Sequence, residues 1–202
     1  MTVEKTAQPV QARSQKTRDS ILQAALSMYA KKGYHKTTVD EIAAEAGVST
    51  GIAYRYFRNK KDMLLAAISY AADNIGSIAG TDELCIPEDP KDMQGYLTAL
   101  LKDFEKLHIK YRDIHEEIEG LQHTDEDVRK LYITMTDEKM TGAIAKLSAF
   151  MADDRNIREK AYSAVGIMEQ HCHMMMNSEL YRLDTDVMRD ITVNAVIGVL
   201  GS

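Results

Sequence analysis

The chain of 202 residues has no tryptophan, only three prolines and only two cysteines. Few prolines mean few forced helix breaks, because each one removes a backbone donor and clashes with the preceding turn. Cys85 and Cys172 lie far apart, with no CxxC spacing and no second pair. That excludes a disulfide framework and leaves two thiols in apolar surroundings, read as reduced. Almost no stretch alternates apolar and polar residues, so strands have no signal and the 3.6-residue period prevails. The longest purely apolar stretch near the C-terminus, 195–200, is far short of a membrane span, and the N-terminus lacks a charged-then-apolar leader pattern. The expectation is an all-α protein, soluble and cytoplasmic, without a membrane partner.

What is present is enough apolar content, 45%, to build a packed core in one large domain or two small ones. A net charge of −6 argues superficially against nucleic acid, yet the charge is unevenly spread. Residues 1–63 hold eleven basic against six acidic groups, net +5, and the remainder holds 14 against 25, net −11. A basic head on an acidic body presents one end to a polyanion and repels it with the other.

Residues 1–12 show no apolar period and read as a flexible arm. From 13 to 31, Ile21, Leu22, Ala25, Met28 and Tyr29 share one helical face, and Gly33 supplies the stop. Thr38 with Glu41 forms a capping box that opens a short helix over 39–46. Gly47 permits a tight turn, Val48 plugs the angle, and Ser49 caps a third helix reaching about 57. Asn59 with Asp62 repeats the cap signal before a fourth helix to about 79, with Met63, Leu64, Ile68, Ala71, Ile75 and Ile78 inward. Pro87 and Pro90 mark 81–90 as a loop. Helical spacing resumes through Met93, Leu97, Leu101, Phe104 and Tyr111, bends, and continues through Ile114, Ile118 and Leu121. Thr124 is the expected cap of the next helix, which carries Val128, Leu131, Met135, Ile144 and Leu147. After an acidic turn at Asp153 and Asp154 come two last helices, over 156–177 and 185–200.

Two short helices joined by a glycine turn inside a basic segment are what a helix-turn-helix needs: one braces and the next enters the major groove. The stretch TTVDEIAAEAGVSTGIAYRYFRNKKDML, residues 37–64, closely resembles the DNA-binding signature of TetR-family regulators. The resemblance covers about the first third of the chain. It implies a three-helix DNA-binding domain over 13–58 and a helical ligand-binding and dimerisation domain over 59–202. It also implies a dimer that binds a palindromic double-stranded operator and is released by a small-molecule effector, in most cases as a repressor.

By position, the resemblance assigns Thr37 and Thr38 to phosphate, Thr50 and Gly51 to base edges, Tyr54 and Tyr56 to a phosphate clamp and Lys60 to a further phosphate. Arg55 lies between the tyrosines and suits bidentate reading of a guanine. Ile52 stands where the family often has a small polar residue, so a thymine-methyl contact is expected, and Ala53 replaces a common leucine. These departures mean that operator preference does not transfer. Each side chain also has a plainer role open to it: a tyrosine as half-buried helix surface, an arginine as a solvated charge.

In the body, the final helix carries more apolar surface than one core needs. Val187, Ile191, Ala195 and Val199 line one face, while Val193, Val196, Ile197 and Leu200 occupy others. Burial against a second copy explains the surplus, with Val165, Met168, Val193, Val196, Ile197 and Leu200 as the expected homodimer interface. Twelve methionines and ten tyrosines suit a plastic pocket or an ordinary core, and the resemblance implies a pocket among the central helices, sought around Phe104, Tyr111, His115, Glu119, Met135, Met168 and Cys172. His108, Arg112 and His115 fall at i, i+4 and i+7, with Glu116, Glu119 and His123 nearby, but no HExxH or Cys-His spacing fixes a metal geometry. The run from His171 to Met176 points in successive directions about 100° apart and cannot converge as a unit. No metal and no cofactor are therefore expected. No nucleophile stands with a base in recognisable context, which argues against an enzyme. The alternative is a helical dimer that binds a small molecule or serves structurally, without DNA.

Overall fold

A computed structural model, describing residues 10–78, 93–150 and 155–201, consists of ten helices with no strand among the described residues. Helix α1 (Val10–Lys32) begins inside the stretch expected to be an arm, and residues 1–9 lie outside the described set. It ends where Gly33, at φ +79°, donates to the Tyr29 carbonyl at 2.8 Å, with Lys31 and Lys32 in the last turn opposing the helix dipole.

Helix α2 (Val39–Glu45) has the expected capping box: Glu41 N–H donates to Thr38 Oγ1 at 3.3 Å, and Thr38 N–H to Glu41 Oε2 at 2.9 Å. Gly47, at φ +69°, makes the turn into α3 (Thr50–Tyr56), where Ser49 Oγ accepts from Ile52 N–H. Helix α4 (Lys60–Ile78) starts with Asn59 Oδ1 accepting from Asp62 N–H at 2.8 Å. The expected inward side chains Ile75 and Ile78, the loop 81–90 and Cys85 lie outside the described residues.

The body contains α5 (Met93–Lys110), α6 (Arg112–Thr124), α7 (Glu126–Phe150), α8 (Ile157–Met176), the single turn α9 (Ser178–Tyr181) and α10 (Thr185–Gly201). The bend expected after Tyr111 separates α5 from α6. Thr124 does not cap α7: its hydroxyl donates back to the Gly120 and Leu121 carbonyls. Asp125 caps instead, its Oδ1 accepting from Asp127 and Val128 N–H at 3.0 and 3.2 Å. A carboxylate one residue later reaches both free amides, whereas a hydroxyl inside the preceding helix is spent on that helix. The expected acidic turn at 153–154 and the side chain of Leu147 lie outside the described residues.

Two apolar cores hold the chain. The first joins the head to part of the body, with Ile21, Leu22, Tyr29, Ile42, Ala53, Phe57, Met63 and Leu64 packed with Ile114, Leu121 and Val128 of α6 and α7. It therefore runs straight across position 58. The second lies between α5, α8 and α10 and is built from Leu97, Leu101, Ala164, Met168, Cys172, Val193, Val196 and Leu200.

That second core takes up four of the six residues expected at the dimer surface. Met168, Val193, Val196 and Leu200 are buried within one protomer, and Val165 and Ile197 are half-buried. Side chains already packed on α5 have no surface left to offer a partner. The apolar residues that α10 leaves outward are Val187, 53% exposed, Ile191, 58% exposed, and Ala195 on the same face.

Candidate functional site

The α2–α3 pair is held from behind by buried Ile42, Ala43, Ala53 and Phe57, so its other side faces outward as a rigid edge. On that edge Tyr54 is 52% exposed, Arg55 and Gly51 are exposed, and Ile52 is half-buried. A side chain at Gly51 would meet nothing within 4 Å, so packing inside the chain does not explain the glycine there. Thr50 Oγ1 donates to Asp40 Oδ1 at 2.6 Å, bracing α3 on α2. Tyr56 Oη lies 3.2 Å from Ser14 Oγ, which ties the end of α3 to the start of α1. Thr38 is exposed at the start of α2 with its hydroxyl engaged in the capping box.

Two residues assigned to phosphate are placed differently. Thr37 is 1% exposed, and its hydroxyl donates to the Gly33 carbonyl at 2.9 Å and the Met28 carbonyl at 3.3 Å. It closes the C-terminus of α1, whose last carbonyls need donors. Lys60 Nζ donates to the carbonyls of Tyr34 and Thr37, both at 2.9 Å, and of His35 at 3.4 Å, and stands 4.3 Å from the centre of the Tyr34 ring. An ammonium has three donors, and all three are occupied. Lys60 thus braces the loop between α1 and α2. Of the assigned residues Thr37 is buried, and the others are exposed or half-buried.

The family model described as bacterial regulatory proteins, tetR family, matches residues 21–67, the segment that carries this edge. That segment is the DNA-binding part of a TetR-family regulator. It is similar to the HTH-type transcriptional regulator YerO of Bacillus subtilis, 25% identical over 81% of this chain and 57% of that protein. It is 38% identical to YvkB of the same organism over 44% of this chain and 46% of that protein. The chain thus spans about half the length of these curated relatives. A crystal structure of a TetR-family regulator from Streptomyces coelicolor superimposes with a TM-score of 0.68 at 15% identity, over 92% of this chain and 80% of that one. The relatives are regulators and not enzymes. No helix among the described residues is long and apolar enough to cross a membrane.

In this TetR-family chain the head is also tied to the body by polar contacts that sequence reading missed. Glu117 of α6 accepts from Tyr34 N–H at 2.6 Å, in the loop that Lys60 holds. Lys61 of α4 pairs with Asp125 and, at 3.4 Å, with Asp127 at the start of α7. These links span 83 and 64 positions, beyond the reach of any local pattern.

The body gathers two histidine–carboxylate clusters on opposite sides of α8. In the first, buried Glu105 accepts from both Nε and Nη2 of Arg189 at 2.9 Å and from His171 Nε2 at 2.8 Å. The other His171 nitrogen is 2.8 Å from Thr192 Oγ1. Burial would raise the Glu105 carboxyl, but His171 and Arg189 outweigh it and hold it down at about 2.

The second cluster contains His108, His115, Glu169 and His173. His108 donates through Nδ1 to the Phe104 carbonyl at 2.9 Å and through Nε2 to Glu169 Oε2 at 2.9 Å, so it is cationic. Burial opposes that charge, yet its hydrogen-bond partners Cys172 and Glu169 raise the imidazole to about 10. Burial and the neighbouring His108 lower His115. Of the expected pocket residues, His115 belongs to this cluster and Phe104, Glu119 and Cys172 border it, while Met168 lies in the second core and Met135 packs against the first. Tyr111 instead lines a separate cleft of about 550 Å³ between α1, α4 and the α5–α6 junction, with Gln23, Leu26, Tyr70 and Ile114. Glu169 and His173 had one unused signal, an i, i+4 spacing that puts both on one face of α8.

Proposed function

We propose that the protein is a homodimeric, effector-responsive transcriptional repressor whose α3 helices read a palindromic double-stranded DNA operator. The observation that carries this reading is the outward edge of α3, where Gly51, Tyr54 and Arg55 stand free of the core that Ala53 and Phe57 enter. Arg55 is the base reader, at a side chain suited to guanine, and Thr38, Tyr54 and Tyr56 position the backbone. The exposed face of α10, with Val187, Ile191 and Ala195, supports a two-fold interface, and α8, which packs on α10, carries the exposed small residues Ser163 and Gly166. The effector acts by changing the separation of the two heads, which must match groove faces roughly 34 to 36 Å apart or a multiple of that. Glu117 and Lys61 give α6 and α7 a direct hold on the head besides the lever of α4.

The test is selection of bound duplexes from a random-sequence pool, followed by gel shifts at low and high salt. A selected palindrome bound by the wild type, with Arg55→Ala losing about 1 to 3 kcal/mol of preference at one base pair, supports the reading. No shifted complex at low salt would favour a helical dimer without DNA. Light scattering of Ile191→Asp checks the interface: monomers of unchanged helicity are expected, and a persistent dimer places the contact elsewhere.

A further inference from the structure

His108 and His115 flank the α5–α6 break, and Glu169 and His173 sit one turn apart on the facing side of α8. One donor atom from each of the four lies within 4.8 Å of every other. The Nε2 atoms of His115 and His173 are 3.4 Å apart, and Glu169 Oε2 is 2.9 Å from His108 Nε2 and 4.0 Å from His115 Nε2. A tetrahedral zinc ion with bonds near 2.0 to 2.1 Å sets its ligand atoms about 3.4 Å apart, so the His115–His173 edge is already in place, while the His108–Glu169 edge must open and the His115–Glu169 edge close by about half an ångström each. We propose that His108, His115, His173 and Glu169 form a binding site for a divalent transition metal of the zinc class.

A plain hydrogen-bonded network accounts less well for this arrangement. Two imidazole nitrogens facing each other share one proton at most, and a single carboxylate oxygen, Glu169 Oε2, stands near both His108 and His115. The three rings crowd at centroid distances of 4.7, 5.1 and 6.2 Å. A cation among them turns that crowding into four ligand bonds and displaces the proton from His108 Nε2. The outer contacts also fit. His108 Nδ1 is held by the Phe104 carbonyl, and His173 Nδ1 is 3.8 Å from Glu119 Oε1, and such partners orient ligating imidazoles. Three nitrogens and one oxygen suit zinc, nickel, cobalt or copper and disfavour magnesium and calcium, which take oxygen ligands.

The consequence for regulation rests on the DNA-binding reading above. His115 precedes by two residues Glu117, which holds the Tyr34 amide, so drawing α6 toward α8 pulls on the loop in front of α2.

The test is calorimetric titration of the chelator-treated, full-length chain with zinc chloride, with magnesium chloride as control and metal content per chain measured after dialysis. One zinc per chain and no magnesium uptake are expected. His173→Ala and the near-isosteric Glu169→Gln should each weaken zinc at least tenfold at unchanged helicity, whereas the exposed-histidine variants His35→Ala and His123→Ala should not. If His173→Ala fails to fold, Glu169→Gln carries the comparison. No uptake by the folded chain, or equal uptake by Glu169→Gln and wild type, overturns the site. So does an equal loss in the surface-histidine variants. Zinc binding that leaves affinity for a selected operator unchanged upholds the site and overturns only its link to DNA. Absence of any DNA binding fails the regulatory reading alone.

Discussion

The two sides of α8 present the same residue types in different states of completion. Toward α5 and α10, Glu105, His171, Arg189 and Thr192 form a closed set in which both imidazole nitrogens and both carboxylate oxygens have partners. Toward α5 and α6, three imidazoles converge on one carboxylate, and two of their nitrogens face each other. A satisfied buried network stabilises and specifies packing, whereas convergent lone pairs without enough donors are suited to a ligand. The type of residue does not separate a structural cluster from a binding one; the balance of donors and acceptors does.

The largest expected effect breaks the closed side. Glu105→Ala leaves Arg189, 13% exposed at its side chain, and His171, 1% exposed, without their shared acceptor. Removing one member of a buried charged set costs about 3 to 5 kcal/mol, to be read by urea unfolding. Glu169→Ala, on the more open side, should cost less than half as much, and equal losses would erase the contrast.

Acid supplies the next test. The Glu105 carboxyl is depressed from 4.5 to about 2 in the folded chain, so its stabilisation is complete above about 4.5 and is lost as pH falls from there toward 2. Melting temperatures across that window should fall more steeply for the wild type than for Glu105→Gln, and parallel curves would remove Glu105 from the account. A smaller effect is expected from Thr192→Val, which keeps the shape but leaves His171 Nδ1 unpaired. The cost should be about 1 to 2 kcal/mol by the same unfolding measurement. Glu169→Gln keeps an acceptor for the neighbouring imidazoles but removes the charge facing His108, so its loss without metal should stay below that of Glu105→Ala. A loss as large as that of Glu105→Ala would make the second cluster structural as well.

The head was the legible part because its signals are local. Thr38 and Glu41 are three residues apart, Gly47 and Ser49 mark one turn, and the buried face of α1 repeats with the helical period. The resemblance assigned Thr37 and Lys60 to phosphate by position, but their partners here lie 4 to 26 positions away and are backbone carbonyls, which no side-chain pattern announces. On α10 the apolar periodicity was visible and its assignment was not. Two faces are apolar, and only the placement of α5 shows that Val193 and Val196 turn inward while Val187 and Ile191 remain outside.

The sequence by itself determined the all-α class, the helix-turn-helix with its caps and turn, the family and the polarity of a basic head on an acidic body. Each follows from composition or from groups within a few residues of one another. Only the tertiary structure decided that Thr37 turns inward, that Lys60 binds the carbonyls of the α1–α2 loop and which face of α10 is free. It alone brought His108 and His115 to within hydrogen-bonding range of Glu169 and His173, residues separated by 58 to 61 positions for the closest pairs. Helical periodicity states which residues share a face, but the partner of that face is chosen by packing among distant helices.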